Sequence, residues 1–330
     1  MYNKDIYHLM GSATSFQKSK ILLEANDLDL FSILSAGPRK INDLASQMRV
    51  DSSALGIIMN ALVTMGFLVK EYDFYKNSAV SDRYLAKGAI EYRGNYLKLL
   101  NIQWNLWSNL GEVVRSRGHN TAFLASMHNK RSMNHVRARG MDELNKSRAD
   151  FIAHVLNLRG PTRMLDLGGG AATYSIAFAR KNPQLSSVVL DMPFPLEVAR
   201  ENIQRHKLED RISTMPGSFW KTDYGSGYDL VWISNVIHHL SPIQGEELIL
   251  RSTAALSSGG RLIVHENTID EDGISPPGTA LFSALILAIS QEGQCYTLNE
   301  IKNWLTRSSL NDVHQIELDS LSQLISGTKA

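Results

Sequence analysis

The strongest candidate for a ligand site is a run of three glycines that follows a short apolar stretch. Residues 164–167 (MLDL) have the composition of a buried strand, and Gly168, Gly169 and Gly170 come directly after them. Glycines at such a point allow a sharp turn and let the backbone approach a ligand more closely than any Cβ would permit. A helical pattern follows, so the segment predicts a strand, a ligand-binding turn and a helix.

An acid at the end of the next apolar stretch indicates what the turn binds. Asp191 follows the stretch 187–190 and lies 21 residues beyond Gly170. A carboxylate in this position can accept hydrogen bonds from both hydroxyls of a ribose. The combination of glycine turn, helix and acid therefore predicts a cofactor that contains a nucleoside.

The glycine spacing argues against a dinucleotide. Gly168 and Gly170 fit the first two positions of the GxGxxG pattern, but Thr173 occupies the third, and the sequence contains no phosphate-binding GK[ST] loop. The dinucleotide pattern exists because a pyrophosphate rests on the helix N-terminus. An acid followed by three glycines instead favours a cofactor without phosphate, such as S-adenosylmethionine.

From residue 162 onward, apolar β-branched stretches alternate with helical patterns. The predicted strands are 164–167, 187–190, 212–215, 230–233 and 262–264, and the predicted helices are 174–181, 196–206 and 245–256. Strands buried on both faces with helices between them predict an α/β fold with a doubly wound parallel sheet. Its ligand is expected at the carboxyl ends of the strands, near the switch point.

The first part of the chain has the pattern of a winged helix. Apolar spacing predicts helices over 16–34, 41–48 and 52–67, with Asp51 or Ser52 as the N-cap of the last, and a hairpin over 68–76. A winged helix raises the alternative of a DNA-binding regulator. The helix 52–67 contains no Lys or Arg and is apolar nearly all round, so we expect it to be buried on several sides and to serve packing and dimerisation.

Composition and charge exclude several further classes. The 330 residues carry 34 Lys and Arg against 33 Asp and Glu, a net charge of +1, which does not favour nucleic acid as a partner. With 43% hydrophobic residues the chain can form a folded core, and its length favours two domains. A single cysteine, Cys295, excludes an intramolecular disulfide framework. No stretch has the pattern of a signal peptide or membrane helix, so a cytoplasmic protein without membrane partners is expected.

Five segments in order carry a resemblance to a known family. They are LDLGGGAATYSIAFARKNPQLSSVVLDMP, GSFW, SNVIHHL, GGRLIVHE and GQCYTLNEI. Together they resemble the S-adenosylmethionine-dependent small-molecule O-methyltransferases, which include plant caffeate-type and bacterial antibiotic-tailoring enzymes. The resemblance implies a winged-helix dimerisation domain over 1–88, a helical connector over 89–155 that contributes to the substrate pocket, and a Rossmann-like methyltransferase domain over 156–330. It also implies a homodimer and a small-molecule acceptor.

The resemblance assigns cofactor contacts to nine positions of this sequence. They are Asp166, Gly168, Gly169, Gly170, Asp191, Met192, Ser218, Phe219 and Ser234. Asp166 and the glycines would hold the methionine end of the cofactor, and Asp191 would bind the ribose. Met192, Ser218 and Phe219 would contact the adenine. Met141 corresponds to the methionine near the methyl-transfer site.

His238 corresponds to the catalytic base of the family, and Glu266 to its carboxylate partner. An imidazole with its ordinary pKa of about 6.5 suits removal of a proton from an acceptor hydroxyl. From the residue pattern alone, a hydrogen-bonded structural role for the His doublet stays open. His239 stands where the family usually has Asp, and Cys295 stands where plant members have a second Glu, so both are expected at the substrate side of the site.

Two other departures from the family pattern lead to structural expectations. Ala172 replaces the last glycine of the usual loop, which is tolerable if its φ is negative. Ser218 replaces an adenine-binding Asp, with the loss of a charge-assisted hydrogen bond. His238, His239 and Glu266 could in principle form a metal triad, but adjacent histidines are expected to point apart, so no metal is expected.

The sequence therefore predicts an S-adenosylmethionine-dependent enzyme that methylates a hydroxyl of a small aromatic secondary metabolite. C-methylation, or a relative that retains the cofactor without net methyl transfer, is the alternative within the family. A winged-helix regulator is the alternative outside enzymes, and the uncharged helix over 52–67 disfavours it.

Overall fold

The apolar periodicities of the sequence correspond to helices and strands in the computed structural model of the chain. The structure describes residues 4–116, 125, 129–156, 158, 160, 162–318 and 322–330. These residues fall into two units that divide between Asn105 and Leu106. The expected boundaries at residues 88 and 155 stay a prediction.

The N-terminal unit contains the expected helices and hairpin. Its elements are α1 (Lys4–Asp27), α2 (Leu30–Leu34), β1 (Arg39–Lys40), α3 (Ile41–Met48), α4 (Ser52–Thr64), β2 (Leu68–Glu71), β3 (Phe74–Asn77) and α5 (Ala79–Tyr84), followed by α6 (Gly94–Ser108). The three strands form an antiparallel sheet in the order β1-β3-β2. Asp51 is the N-cap of α4, because its side chain accepts a hydrogen bond of 2.8 Å from the backbone N–H of Ala54.

Two predictions for this unit were wrong in detail. The helix expected over 16–34 begins instead at Lys4 and is interrupted after Asp27, where Asp29 adopts a left-handed φ of 61° that a helix cannot accommodate. The prediction that α4 is buried on several sides also fails in the single chain. Leu55 and Met59 are buried in the core, whereas Ile57 on the same helix is 68% exposed.

The C-terminal unit is built on a seven-stranded sheet. Its elements are α7 (Leu110–Ser116), α8 (Arg131–Val155), β4 (Arg163–Leu167), α9 (Thr173–Lys181), β5 (Ser186–Asp191), α10 (Pro193–Arg205), β6 (Ile212–Pro216), β7 (Tyr228–Ser234), α11 (Pro242–Ala255), β8 (Leu256–Asn267), α12 (Pro277–Ile289), α13 (Leu298–Arg307), β9 (Leu310–Glu317) and β10 (Ser322–Lys329). The order β6-β5-β4-β7-β8-β10-β9 is that of a doubly wound α/β sheet, which confirms the predicted fold class.

The sheet is parallel only in part. Strands β4 to β8 are parallel, as predicted, whereas β10 is antiparallel to β8, and β9 is antiparallel to β10. The sequence analysis missed β9 and β10, because their polar residues hide the apolar pattern. Leu324 and Ile325 of β10 are nevertheless fully buried.

The strand order places one end of the sheet in position to hold a ligand. β4 lies between β5 and β7, so the chain leaves the carboxyl ends of β4 and β7 in opposite directions and a crevice forms there. Apolar side chains cover both faces of the sheet, including Trp232 on one face and Ile233 on the other. A rigid core therefore supports the loops that follow β4, β5, β7 and β8.

Among the described residues, no helix combines the length and apolarity that crossing a membrane would require.

Candidate cofactor and acid–base site

The turn after β4 is shaped by its glycines. Gly168 and Gly170 have positive φ values of 73° and 54°, which side chains rarely adopt. A Cβ at Gly168 would lie 2.6 Å from Cγ2 of Val236, and one at Gly169 would lie 2.6 Å from Cγ1 of Val189. Gly168 and Gly169 are therefore packed too closely against neighbouring side chains for any other residue. That this turn binds a ligand stays a prediction.

Ala172 contradicts the expectation of a negative φ. It has a φ of 63° and immediately precedes α9 as its N-cap. A left-handed conformation costs a residue with a Cβ about 1–2 kcal/mol. The methyl group of Ala172 is fully buried beside Val189 and Leu196, and such burial returns about 0.8 kcal/mol. Packing of this methyl group thus offsets much of the backbone strain that results from having alanine at this position.

Asp166 is a buried acid with unused hydrogen-bonding capacity. Its Oδ2 accepts a hydrogen bond of 2.7 Å from the hydroxyl of Ser175, while its Oδ1 has no hydrogen-bond partner among the described residues. Burial, and to a lesser degree the charge of Asp191, raise the pKa of Asp166 to about 7. A cationic or N–H group of a ligand would satisfy the remaining oxygen and lower this pKa.

Asp191 joins the end of β5 to the glycine turn. Its Oδ2 accepts a hydrogen bond of 2.8 Å from the backbone N–H of Gly170, and its Oδ1 accepts one of 2.6 Å from that of Met192. Burial raises the pKa of this carboxyl, and the nearby charge of Arg137 opposes the shift. Each oxygen keeps a second lone pair, so the carboxylate can also accept hydroxyl groups of a ligand.

The adenine contacts expected from the resemblance lie on two loops. The half-buried ring of Phe219 is next to the glycine turn, because its Cζ would be 3.4 Å from a Cβ at Gly168. The hydroxyl of Ser218 accepts a hydrogen bond of 3.2 Å from the backbone N–H of Lys221 and so stabilises its own loop. Met192 is exposed directly after Asp191. The structure thus places Phe219 next to the glycine turn, whereas the adenine contact expected of Met192 stays a prediction.

The predicted acid–base pair is formed. His238 lies in a 3-10 helical turn, Ile237–His239, after β7, and Glu266 lies near the end of β8. The His238 Nδ1 is 2.6 Å from Oε1 of Glu266, and the backbone N–H of His238 donates to Oε2 at 3.4 Å. His238 is 4% exposed and Glu266 is fully buried. The ring of Phe282 meets that of His238 edge-on, with 5.0 Å between centroids.

His239 does not point away from His238, which corrects the sequence prediction. Their Nε2 atoms are 3.2 Å apart and their ring centroids 4.3 Å apart. The expectation assumed extended backbone, where adjacent side chains lie on opposite faces, but the 3-10 turn brings them to neighbouring directions.

His265 lies on the other side of its strand from Glu266. Its Nδ1 is 2.8 Å from the hydroxyl of Ser234, and its ring stacks on Trp232 at 5.9 Å between centroids. Ser234 is therefore engaged with His265, and its assignment to the cofactor stays a prediction. Among the described residues, no group of three or more His, Cys, Asp or Glu side chains could hold a metal ion.

Two further expected site residues occupy different environments. Cys295 is buried beside Ile269 and Ile286, and burial, together with the charge of Glu266, raises the pKa of its thiol to about 11. It is therefore a neutral group beside the acid–base pair. Met141 lies half-buried on α8, and its predicted place near the methyl-transfer site stays a prediction.

The sequence analysis missed Ser175, Arg137 and Phe282. Ser175 is on the first turn of α9, and its hydroxyl contacts both Oδ2 of Asp166 and, at 2.8 Å, the hydroxyl of Ser187, so it connects the carboxylate to β5. Nothing in the spacing of Ser175 distinguishes it from any helical serine. Phe282 lies in the apolar sequence of α12, where nothing in the pattern distinguishes it from a core residue.

The glycine turn, the buried acids Asp166 and Asp191 and the buried His–Glu pair lie at the end of the sheet where a doubly wound fold binds its ligand. Comparison with known proteins makes the class specific. The family model for an O-methyltransferase domain matches residues 107–310, and that for an O-methyltransferase dimerisation domain matches residues 10–87. The chain belongs to the O-methyltransferase family and is an S-adenosylmethionine-dependent O-methyltransferase.

Relatives match along nearly the whole chain. The 3-hydroxy-5-methyl-1-naphthoate 3-O-methyltransferase of Streptomyces sahachiroi is 27% identical over 328 residues, covering 98% of this chain and 95% of that protein. The tetracenomycin polyketide synthesis 8-O-methyl transferase of Streptomyces glaucescens is also 27% identical, covering 96% and 94%. Among solved structures, a putative O-methyltransferase from Nostoc punctiforme is 25% identical with a TM-score of 0.86 and full coverage of both chains. Human N-acetylserotonin methyltransferase, solved with SAM, shares the fold with a TM-score of 0.90 at 21% identity, over 100% of this chain and 99% of that one.

The packing of the turn predicts that Gly169→Ala destabilises the protein. The new Cβ would lie 2.6 Å from Val189 and 2.7 Å from the carboxyl group of Asp166, and neither neighbour can move freely in the core. We expect a loss of about 1–3 kcal/mol in the free energy of unfolding, measured by urea denaturation.

The matched control is Gly111→Ala on α7, where the added methyl would meet only the flexible end of Arg115, at 3.4 Å. Gly111 is exposed in the first turn of α7, where alanine should leave stability unchanged or raise it by up to about 1 kcal/mol. Equal urea midpoints for Gly169→Ala and the wild type would contradict this description of the turn.

Proposed function

We propose that this enzyme transfers a methyl group from S-adenosylmethionine to a phenolic hydroxyl of a small aromatic metabolite, with His238 as the general base. The observation that carries the proposal is the buried His238–Glu266 hydrogen bond of 2.6 Å beside the glycine turn. The O-methyltransferases that this chain resembles act on aromatic metabolites, as their names state. Phe282 supplies an aromatic surface at the same histidine.

The residues at the glycine turn fit the cofactor. Asp166 offers an unpartnered buried oxygen for the amino group. The glycine turn lies close to this acid, because a Cβ at Gly169 would be 2.7 Å from its carboxyl group. Asp191 would bind the ribose hydroxyls, and Met192 and Phe219, with Ser218 in the same loop, would enclose the adenine. Ser234 is the remaining proposed contact. When bound, S-adenosylmethionine supplies a methyl group that its sulfonium has already activated.

His238 is set up to remove one proton. The Glu266 carboxylate accepts a hydrogen bond from Nδ1–H, which leaves the lone pair of a neutral ring on Nε2. Nε2 can therefore take the proton of an acceptor hydroxyl, and Glu266 stabilises the imidazolium that forms. Because an electrophilic methyl group needs little further activation, the remaining task of the protein is to align the acceptor oxygen.

A panel of phenolic acceptors tests the proposal. Purified full-length chain with S-adenosylmethionine is incubated with 3-hydroxy-5-methyl-1-naphthoate, N-acetylserotonin and simpler hydroxybenzoates, and the products are analysed by fragmentation mass spectrometry. The proposal predicts a gain of one methyl group on a phenolic oxygen. A methyl group on carbon, or demethylated cofactor without a methylated product, would overturn the O-methylation assignment, as would the absence of reaction across the panel.

His238→Ala should lower turnover without weakening cofactor binding. Loss of a positioned base typically costs about 10²–10⁴-fold in rate. S-adenosylhomocysteine affinity, measured by calorimetry, should stay within about twofold of wild type, because the glycine turn and Asp191 do not depend on the imidazole. His314→Ala on the exposed part of β9 is the control and should keep full activity. Full turnover by His238→Ala would show that His238 is not the general base.

Binding of S-adenosylhomocysteine should release a proton near neutral pH. The pKa of Asp166 in the free protein is raised to about 7, so much of the carboxyl is protonated at slightly acid pH. The ammonium group of the ligand favours the carboxylate, so binding lowers this pKa and expels the proton. The effect should diminish above about pH 8, where the group is already ionised.

Calorimetry at about pH 6.5 in two buffers with different heats of protonation measures this release directly. The apparent binding enthalpy should depend on the buffer for the wild type and not for Asp166→Asn. The same apparent enthalpy in both buffers for the wild type would contradict the placement of the ligand's amino group at Asp166.

We also propose a homodimer through the N-terminal unit. The family's dimerisation domain matches residues 10–87, and residues 4–19 of α1 are exposed along their whole length, including Leu9 and Phe16. Light scattering should give twice the 36.8 kDa chain mass. Phe16→Glu should weaken association, whereas Ile90→Glu, which also introduces an acid at an exposed apolar residue but lies outside residues 10–87, should not. A monomeric wild type would contradict the proposal.

A further inference from the structure

The contact between the two histidine rings has a consequence for the proton that the reaction releases. Nε2 of His238, the atom that would take the proton, is 3.2 Å from Nε2 of His239, which is within hydrogen-bond distance. Between two imidazole nitrogens, only one can carry the hydrogen at a time. A proton that Nε2 of His238 takes from an acceptor can therefore be held by either ring, because Nε2 of His239 can receive it when its own hydrogen is on Nδ1.

The two rings differ sharply in access to water. His238 is 4% exposed and lies under the edge of Phe282, whereas His239 is exposed. Methylation of a hydroxyl releases one proton for each methyl group transferred. A bound acceptor would cover His238 further, so a direct transfer from His238 to water is unfavourable. His239 is the neighbouring group that touches both the base and the solvent side.

The backbone holds His239 in this position. The carbonyl oxygen of His239 accepts a hydrogen bond of 3.2 Å from the hydroxyl of Ser290, which also accepts one of 2.9 Å from the N–H of Gly293. A Cβ at Gly293 would lie 2.2 Å from the carbonyl oxygen of His238 and 3.0 Å from Cα of His239. The segment after α12 thus packs directly on the histidine turn.

The groups around the two histidine rings include one negative charge, that of Glu266. Glu266 on β8 provides a negative charge at Nδ1 of His238. Phe282 on α12 is uncharged, and burial keeps the thiol of Cys295 neutral. Two adjacent imidazolium groups would repel each other, while one is stabilised by the carboxylate.

We propose that His239 carries the reaction proton from the buried base to water. As the acceptor O–H bond breaks and the O–CH₃ bond forms, the proton binds Nε2 of His238. Because His239 starts with its hydrogen on Nδ1 and a lone pair on Nε2, the proton then moves to Nε2 of His239, and the Nδ1 hydrogen is released to solvent. Exchange with water resets the tautomer. His239 is a positioning residue that acts through His238. The inference rests on the proposed role of His238 as the base.

The relay can be tested without a methyl acceptor by measuring the rate at which His238 gains and loses a proton. The full chain, with ¹³C-labelled histidine and bound S-adenosylhomocysteine, is examined by NMR relaxation dispersion at the titration midpoint of His238. In His239→Gln, an amide can still donate to Nε2 but cannot carry a proton. We expect its exchange rate to fall by roughly tenfold or more, with cofactor affinity unchanged. His314→Gln is the control.

Chemical rescue of His239→Ala by imidazole provides the second measurement. In His239→Ala, added imidazole should raise the exchange rate with its concentration, while the wild type should not respond. An exchange rate in His239→Gln within about twofold of wild type, or no response of His239→Ala to imidazole, would overturn the relay.

Failure of the relay is distinguishable from failure of the base. If His238→Ala loses turnover on a phenol that the wild type methylates, but His239→Gln keeps the wild-type exchange rate, only the relay is wrong. If His238→Ala keeps full turnover, the base is wrong, whatever the exchange rate.

Discussion

The hydrogen bond between His238 and Glu266 is the constraint on which the site depends. A fully buried carboxylate is costly unless its oxygens are satisfied. In this protein Glu266 is satisfied by Nδ1–H of His238, by the backbone N–H of His238 and by that of Asn267 at 3.1 Å. These contacts fix the turn after β7 against the end of β8. They also favour the tautomer with its lone pair on Nε2, which the proposed role of His238 as a base requires.

The cofactor side of the site is organised by a pair of acids. Asp166 and Asp191 end neighbouring strands, and burial raises the pKa of both. Only Asp191 is balanced locally, by two backbone N–H groups and by Arg137. Asp166 keeps one oxygen without a partner among the described residues, so the free protein holds an acceptor that a ligand can satisfy. The glycines complete this arrangement, because the same turn that positions the backbone N–H of Gly170 excludes any Cβ.

The sequence alone predicted the elements with strong local signals. The apolar stretches that form β4 to β8 correspond to observed strands, and the glycine turn and the His–Glu pair lie together at one end of the sheet. Such features are predictable because a buried parallel strand has a continuous apolar composition. Family membership likewise followed from five motifs in order, and the family models confirm it.

The errors arose where tertiary packing overrides local preference. The φ of Ala172 depends on a buried methyl group that only the folded core supplies. The direction of His239 depends on one 3-10 turn and on the segment around Gly293, which is distant in sequence. Strands β9 and β10 were missed because polar residues interrupt their apolar pattern, and buried residues such as Leu324 become evident only when β10 pairs with β8 and β9 with β10. The exposure of Ile57 shows that a helix apolar on several faces need not be covered within one chain.

The pH dependence of methyl transfer in Glu266→Gln tests the central claim most directly. Single-turnover rates on a phenol that the enzyme methylates are measured from acid to neutral pH for the wild type and the variant. Glutamine keeps the shape but not the negative charge that stabilises the imidazolium, so the acidic limb of the rate should move to lower pH, with a smaller loss of rate than in His238→Ala. An acidic limb at the same pH in both proteins would contradict the coupling of Glu266 to the base.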